Sequence, residues 1–238
     1  DSAPAGLAQA RLLSAVLDHA APAVALLAES DQPAARAHAL FGDGDAHRAV
    51  APSTLTPSFL AALKQNDIAP IAQALDPKAM PDAPQGCSWL SGFYTRQTPA
   101  DAEHGRLFEL AGRDWRKTTC LLSMLFASGG TPQLLYGDEI AMLDDRARYD
   151  EKAAASGEKD ARWLLRGPMR WKRAEHAKTF PEDGDFPPDR FVWLEMKYII
   201  EARKRAQRFF RGEREIIEDW PGHYAVVWTA PKGDELMI

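Results

Sequence analysis

Apolar residues recur at helical spacing from Leu7 to His19, with Leu12, Leu13, Val16 and Leu17 on neighbouring turns, and Ala21-Pro22 closes the run. The stretch AVALLAE, from Ala23, is too short for a helix of its own and reads as a buried strand. Two more helices are expected over Pro57 to Leu63 and Ile68 to Leu75, followed by the loop PDAPQG (81–86) and a strand from Cys87 to Tyr94. A helix from about Arg113 to Ala127 carries the stripe Leu121, Leu122, Leu125 and Phe126. The segment GGTPQLLYGDEIAM (129–142) then turns into a strand at Gln133 to Tyr136. Asp144 to Asp160 is charged and Ala/Gly-rich and is expected to be a long loop of the kind that carries function or stays mobile. A helix over Phe191 to Phe210 ends in Arg203, Lys204, Arg205 and Arg208, cations that suit the negative end of the helix dipole. HYAVVWTA and DELMI, separated by Pro-Lys-Gly, predict the first hairpin of an all-β unit. Helices and strands alternate up to that point, which implies an α/β architecture with parallel strands.

Composition narrows the partners more than the fold. The 238 residues, 45% hydrophobic, can bury a sizeable core, and the net charge of -5 argues against nucleic acid or an acidic membrane surface. Small neutral substrates fit better. Arg11, Asp18, His19 and Pro22 interrupt the apolar stretch from Leu7 to Ala28, so it is no membrane span. Cys87 and Cys120 lack metal-ligand or redox spacing and are expected to be unpaired. No cofactor is expected. No metal is expected either, since Asp43, Asp45, Asp144 and Asp145 fit no calcium-loop pattern. GDGD (42–45) lacks the context that cradles phosphate, which sets aside a nucleotide-binding protein.

The order of LLAES (26–30), LFGDGDAHRAV (40–50), a degenerate strand at 87–94, GGTPQLLYGDEIAM and DARWLLRGPMRW (160–171) resembles the second half of the catalytic barrel of glycoside hydrolase family 13, the alpha-amylase family. The amylosucrase branch looks nearest, then trehalose synthase. The resemblance implies the C-terminal half, strands five to eight, of a (β/α)8 TIM barrel over residues 1–212, and the start of a C-terminal β-domain over 213–238. An incomplete barrel exposes sheet edges. The expected partners are therefore a small neutral sugar or alpha-glucan and the missing first half of the barrel or a second chain. A cytoplasmic location is expected, with secretion left open because the natural N-terminus is expected to lie upstream.

The same resemblance nominates residues. Glu29, at the end of its strand, matches the general acid/base, which must be protonated to assist the leaving oxygen and ionised to activate the acceptor. A solvated end-of-strand carboxylate is the plainer reading. The family's nucleophilic Asp falls outside this chain. Where relatives end strand seven with a His-Asp pair, this chain has Arg96 and Gln97, and an amide beside a cation opposes an oxocarbenium-like transition state. His104, with Asp101 and Glu103, would restore a carboxylate only through a shifted register. Asp138 and Glu139 are expected at the solvated rim of the barrel, or else as a turn anchor or an ion pair with a neighbouring Arg. Arg166 matches an Arg that helps close a glucosyl pocket, against a surface ion pair as the alternative. Trp163 and Trp171 could stack on sugar faces or pack in the core. His47 reads as a turn or strand residue. Two functions follow: an enzyme acting on alpha-glucosidic bonds by double displacement, or a catalytically silent relative that binds a sugar or a protein.

Overall fold

The computed structural model describes residues 3–30, 32, 34–52, 58, 61–62, 64–65, 67, 69–75, 81–92, 105–172, 188–211, 213–217 and 225–237. The chain divides into two units: Asp1–Gly92 with Ser128–Gln133 and Arg208–Ile238, and Phe93–Ala127 with Leu134–Gln207.

The first unit opens with helix α1 (Ala3–Ala20) and strand β1 (Leu27–Ser30). The strand is shorter than the pattern suggests: the Val24 amide closes a turn on the Ala21 carbonyl at 2.9 Å, and interstrand bonding starts only at Leu26, whose carbonyl accepts from the Arg48 amide at 2.9 Å. Helix α2 (Ala34–Ala37) and a 3-10 turn (His38–Phe41) lead to β2 (Ala49–Pro52), then α3 (Ala69–Leu75) and β3 (Ser88–Gly92). With β4 (Thr131–Gln133) these strands form a parallel sheet in the order β1-β2-β3-β4, in which Glu29 faces Ala51 across the ladder. Sequential parallel order is what the alternation of helices and strands implies. Ala28, Ala34, Ala37, Phe41, Val50 and Trp89 make the core on this sheet, where Phe41 meets Trp89 edge-on at 4.8 Å and the indole donates to Pro81 O at 2.7 Å. A Cβ on Gly130, at φ +81°, would lie 2.5 Å from the Trp89 carbonyl oxygen, so only glycine lets the chain enter β4 beside β3.

In α1, Ala10 and Ser14 are buried while Leu12, Leu13 and Val16 are exposed. Arg11 reaches along the surface to hold Asp43 at 3.1 Å and Asp45 at 3.0 Å. The unit also holds an antiparallel sheet of β5 (Glu213–Ile217), β6 (Ala225–Thr229) and β7 (Glu235–Met237), with Val226 and Trp228 buried. The pattern gave β6 and β7, but not β5.

The second unit contains α4 (Leu107–Leu110), α5 (Trp115–Ala127), a 3-10 turn (Asp138–Ile140), α6 (Arg146–Ser156), α7 (Arg162–Leu165) and α8 (Pro188–Arg205). The stripe Leu121, Leu122, Leu125 and Phe126 is buried, α5 packs on α8, and Trp115 stacks on Phe191 at 4.4 Å. Helix α6 corrects the expected loop over Asp144 to Asp160. It has no buried residue and hence no stripe, yet Asp145 caps its start by accepting from the Arg148 amide at 3.2 Å. Gly157, left-handed at φ +72°, ends it. The strand expected at Gln133 to Tyr136 stops at Gln133, since the chain turns at Leu135 to Asp138. Among the described residues no helix is long and apolar enough to cross a membrane, and no group of His, Cys, Asp or Glu could hold a metal ion.

Candidate active site

Alternation along β1 buries Ala28 and exposes Leu27 and Glu29, so the Glu29 carboxylate stands one residue before the C-terminal end of a parallel strand, outside the core. Other charged and polar groups of the same unit hold its turns. Asp45 is held below the usual carboxylate range, chiefly by its hydrogen bond with Arg11. His47 anchors the GDGDAH turn, with Nδ1 2.6 Å from Leu40 O, and Arg48 donates to Gly44 O at 2.8 Å.

The second unit holds a buried polar cluster centred on Arg106, a residue that the sequence pattern does not single out. Its guanidinium donates to Tyr136 O at 2.7 Å and Leu165 O at 2.6 Å, and more loosely to Asp138 Oδ1 at 3.3 Å. It also lies 5.1 Å from the centre of the Tyr136 ring. The Arg106 amide donates to Asp144 Oδ1 at 2.7 Å. The two short bonds to carbonyls make Arg106 a clamp on backbone first and an ion-pair partner second.

Asp138 is correspondingly buried, at 4% exposure, and is not the solvated rim residue expected of it. It takes the ion-pair alternative. Burial pushes its carboxyl up to about 7, with the neighbouring Glu139 charge adding to the rise and Arg106 only partly opposing it. Glu139 is a turn anchor, accepting from the Gly137 amide at 2.7 Å. Gly137, at φ +91°, has no room for a side chain: a Cβ would lie 2.6 Å from Met142 Sδ and 3.1 Å from Arg106 Nη1. Burial also raises Asp144, against the Arg106 amide bond that lowers it.

Arg166 follows α7 with its side chain exposed, on a segment tied to the loop after β4. The Asp145 amide donates to Leu164 O at 2.9 Å and the Tyr136 hydroxyl donates to Gly167 O at 2.7 Å. A Cβ on Gly167 would lie 2.5 Å from Asp145 Oδ2. Trp163 is half-buried against α6, 6.5 Å from Tyr149 and 5.6 Å from Lys152 Nζ, whereas Trp171 is 70% exposed. Arg106 thus bonds both Asp138 and the Leu165 carbonyl, one residue before Arg166. Arg96 and Gln97, with Asp101, Glu103 and His104, lie outside the described residues.

No family model and no curated protein matches the chain by sequence. Solved structures match its fold. An alpha-amylase from H. orenii superposes at TM-score 0.65 and 15% identity, over 95% of this chain and 45% of that one. A cyclomaltodextrinase does so at 0.66 and 17%, over 96% and 34%. A sucrose 6F-phosphate phosphorylase from Thermoanaerobacter thermosaccharolyticum does so at 0.62 and 12%, over 95% and 54%. The fold is the C-terminal half of a (β/α)8 barrel. Strands β1 to β4 are its strands five to eight, and β5 to β7 begin a β-domain. The half-barrel spans between about a third and a half of the length of these structures. In such barrels chemistry sits where strands end at their carboxyl side, and both Glu29 and the loop after β4 occupy such positions on their own strands.

Proposed function

We propose that this half-barrel belongs to an alpha-amylase-family protein of glycoside hydrolase family 13. It acts on alpha-glucosidic bonds, in sucrose, maltose or an alpha-glucan, by retaining double displacement. The observation that carries the reading is an exposed glutamate at the end of the first parallel strand of a fold shared with an amylase, a cyclomaltodextrinase and a sucrose phosphate phosphorylase. Glu29 is the acid/base in this reading, and Arg166 a pocket residue of amylosucrase type. Arg96, Gln97 and Trp163 complete the proposed sugar-facing set, and the buried Asp138 bears on it only through the loop it supports. The nucleophile comes from a polypeptide segment supplying the other four strands, whether in the same natural protein or in a second chain. The exposed Leu12, Leu13 and Val16 on α1 and Leu27 on the outer strand β1 support such a partner, because burying them on four further β/α units removes apolar surface from water.

The test is glucose or fructose release from sucrose and maltose by the longest natural chain, beside Glu29→Gln. Turnover that Glu29→Gln lowers by at least a hundredfold supports the enzyme. Turnover untouched by the substitution refutes the role of Glu29. Arg96 and Gln97 favour a second reading, in which the protein binds sugar or a protein without cutting. Sugar binding by calorimetry with no turnover would select it.

A further inference from the structure

One buried side chain ties the turn at Leu135 to Asp138 to the end of α7. Nη1 of Arg106 donates to Tyr136 O at 2.7 Å and to Asp138 Oδ1 at 3.3 Å, and Nη2 donates to Leu165 O at 2.6 Å. The Nε atom is buried as well and meets no acceptor among the described residues. The side chains of Arg106 and Asp138 are 0% and 5% exposed. Short bonds therefore go to neutral carbonyls, while the carboxyl group receives one long bond although another donor of the same guanidinium goes unused.

A guanidinium and an ionised carboxylate meet best through two short parallel bonds. A buried anion held by one long bond is poorly compensated, whereas a neutral carboxyl group suits the site. The geometry is thus that of the protonated acid, and burial, which pushes the Asp138 carboxyl up to about 7, acts in the same direction. The charges that act on Asp138 are Arg106, which favours ionisation, and Glu139 in its own turn, which opposes it. Asp144 accepts from the Arg106 amide, with Glu109 and Arg146 as further charged neighbours. Helix α8 packs on the 3-10 turn, and its buried charged residues are Asp189 and Arg190.

Ionisation changes what Arg106 has to satisfy, because a carboxylate competes for N–H donors more strongly than a carbonyl does. Both pairs of parallel donors on a guanidinium, Nη1 with Nη2 and Nε with Nη2, include Nη2, the atom that holds Leu165 O. A second bond to Asp138 therefore draws Nη2 away from that carbonyl. We infer that Asp138 is a proton-controlled latch: protonated, it leaves Arg106 clamped on Leu165 O, and ionised, it draws the guanidinium off and frees the backbone that carries Arg166. The latch requires no role for Arg166 in a sugar pocket.

The test is NMR on the longest natural chain between pH 5.5 and pH 8.5, following the Asp138 carboxyl carbon and hydrogen exchange at the Arg166 amide, which donates to Arg162 O at 2.9 Å. The carboxyl should titrate inside this window. Exchange at Arg166, corrected for its intrinsic pH dependence, should rise about fivefold with the same midpoint, the loss of one hydrogen bond, and by more than exchange in α5. Asp138→Asn keeps the shape of the side chain and cannot ionise, so its corrected exchange should stay at the low-pH value of wild type. A carboxyl already ionised at pH 5.5, or exchange at Arg166 that does not follow the carboxyl, overturns the latch. Equal acceleration in α5 also overturns it, as a loosening of the whole fold. So does a rise that persists in Asp138→Asn, which would place the titration on Asp144. Should that variant fail to fold, the two wild-type curves decide alone. Absence of sugar turnover refutes the proposed function and leaves each of these outcomes standing.

Discussion

Helices α1 and α5 carry the same kind of apolar stripe and meet opposite fates. In α5, Leu121, Leu122 and Leu125 are 5%, 0% and 1% exposed, and the helix packs on α8. In α1, Leu12, Leu13 and Val16 are 69%, 47% and 53% exposed, while the residues turned inward are Ala10 and Ser14. The stripe therefore reports that a face is apolar, and it does not report which polypeptide covers it. A helix whose apolar stripe is covered and a helix whose stripe stays exposed look alike in sequence.

Three measurements sharpen or break this contrast. The largest effect belongs to Leu122→Ala, which empties a fully buried site and should lower the unfolding free energy by about 2–5 kcal/mol in urea titrations. A value below 1 kcal/mol would mean that α5 is not held by its stripe. A smaller effect comes from the buried polar pair below α8. Asp138 has a carboxyl raised from 3.8 to about 7, so the folded chain holds its proton more tightly than the unfolded one does. Its stabilising contribution is complete below the unfolded value and is lost as pH rises towards 7. Asp138→Asn cannot ionise and should lose less stability than wild type between pH 5 and pH 7.5. Equal losses would show that Arg106 keeps Asp138 charged throughout. The smallest effect is expected at Leu12→Ala, within about 0.5 kcal/mol for the chain alone. A loss comparable with that of Leu122→Ala would mean that the α1 stripe is buried, and the contrast between the helices would fall.

The contrast also explains what the sequence made legible. Strands β1 and β3 and helix α5 followed from periodicity and turn residues, because they are built on apolar positions with regular spacing, whereas β2 was not read as a strand and β4 was placed two residues late. Helix α6 did not follow, since a helix with no buried face leaves no period, and its signals reduce to a capping Asp145 and a terminating Gly157. Glu29 was legible as the last charged residue of a strand. Arg106 was not, because its partners are mostly backbone carbonyls, and a carbonyl leaves no mark in a sequence. The nearest signal was a cation placed between Gly105 and the buried Leu107-Phe108, where a solvated Arg has no reason to be. Asp138 was read at the rim because its strand ends in charge; its neighbour Glu139 serves as the turn anchor instead, and Asp138 itself goes inward to Arg106.

The contact between Gly167 and Asp145 has a consequence for how this molecule could change over generations. The carboxylate that caps α6 occupies the space of any side chain at 167. The two positions are therefore bound in mutational order. A residue larger than glycine can be accepted at 167 only after 145 has shortened to glycine, since the Asp145 Cβ itself would lie 2.7 Å from a Cβ there; glycine still caps a helix. The reverse order passes through a collision. Descendants that alter the chain beside Arg166 must first have altered the start of a helix some twenty residues earlier.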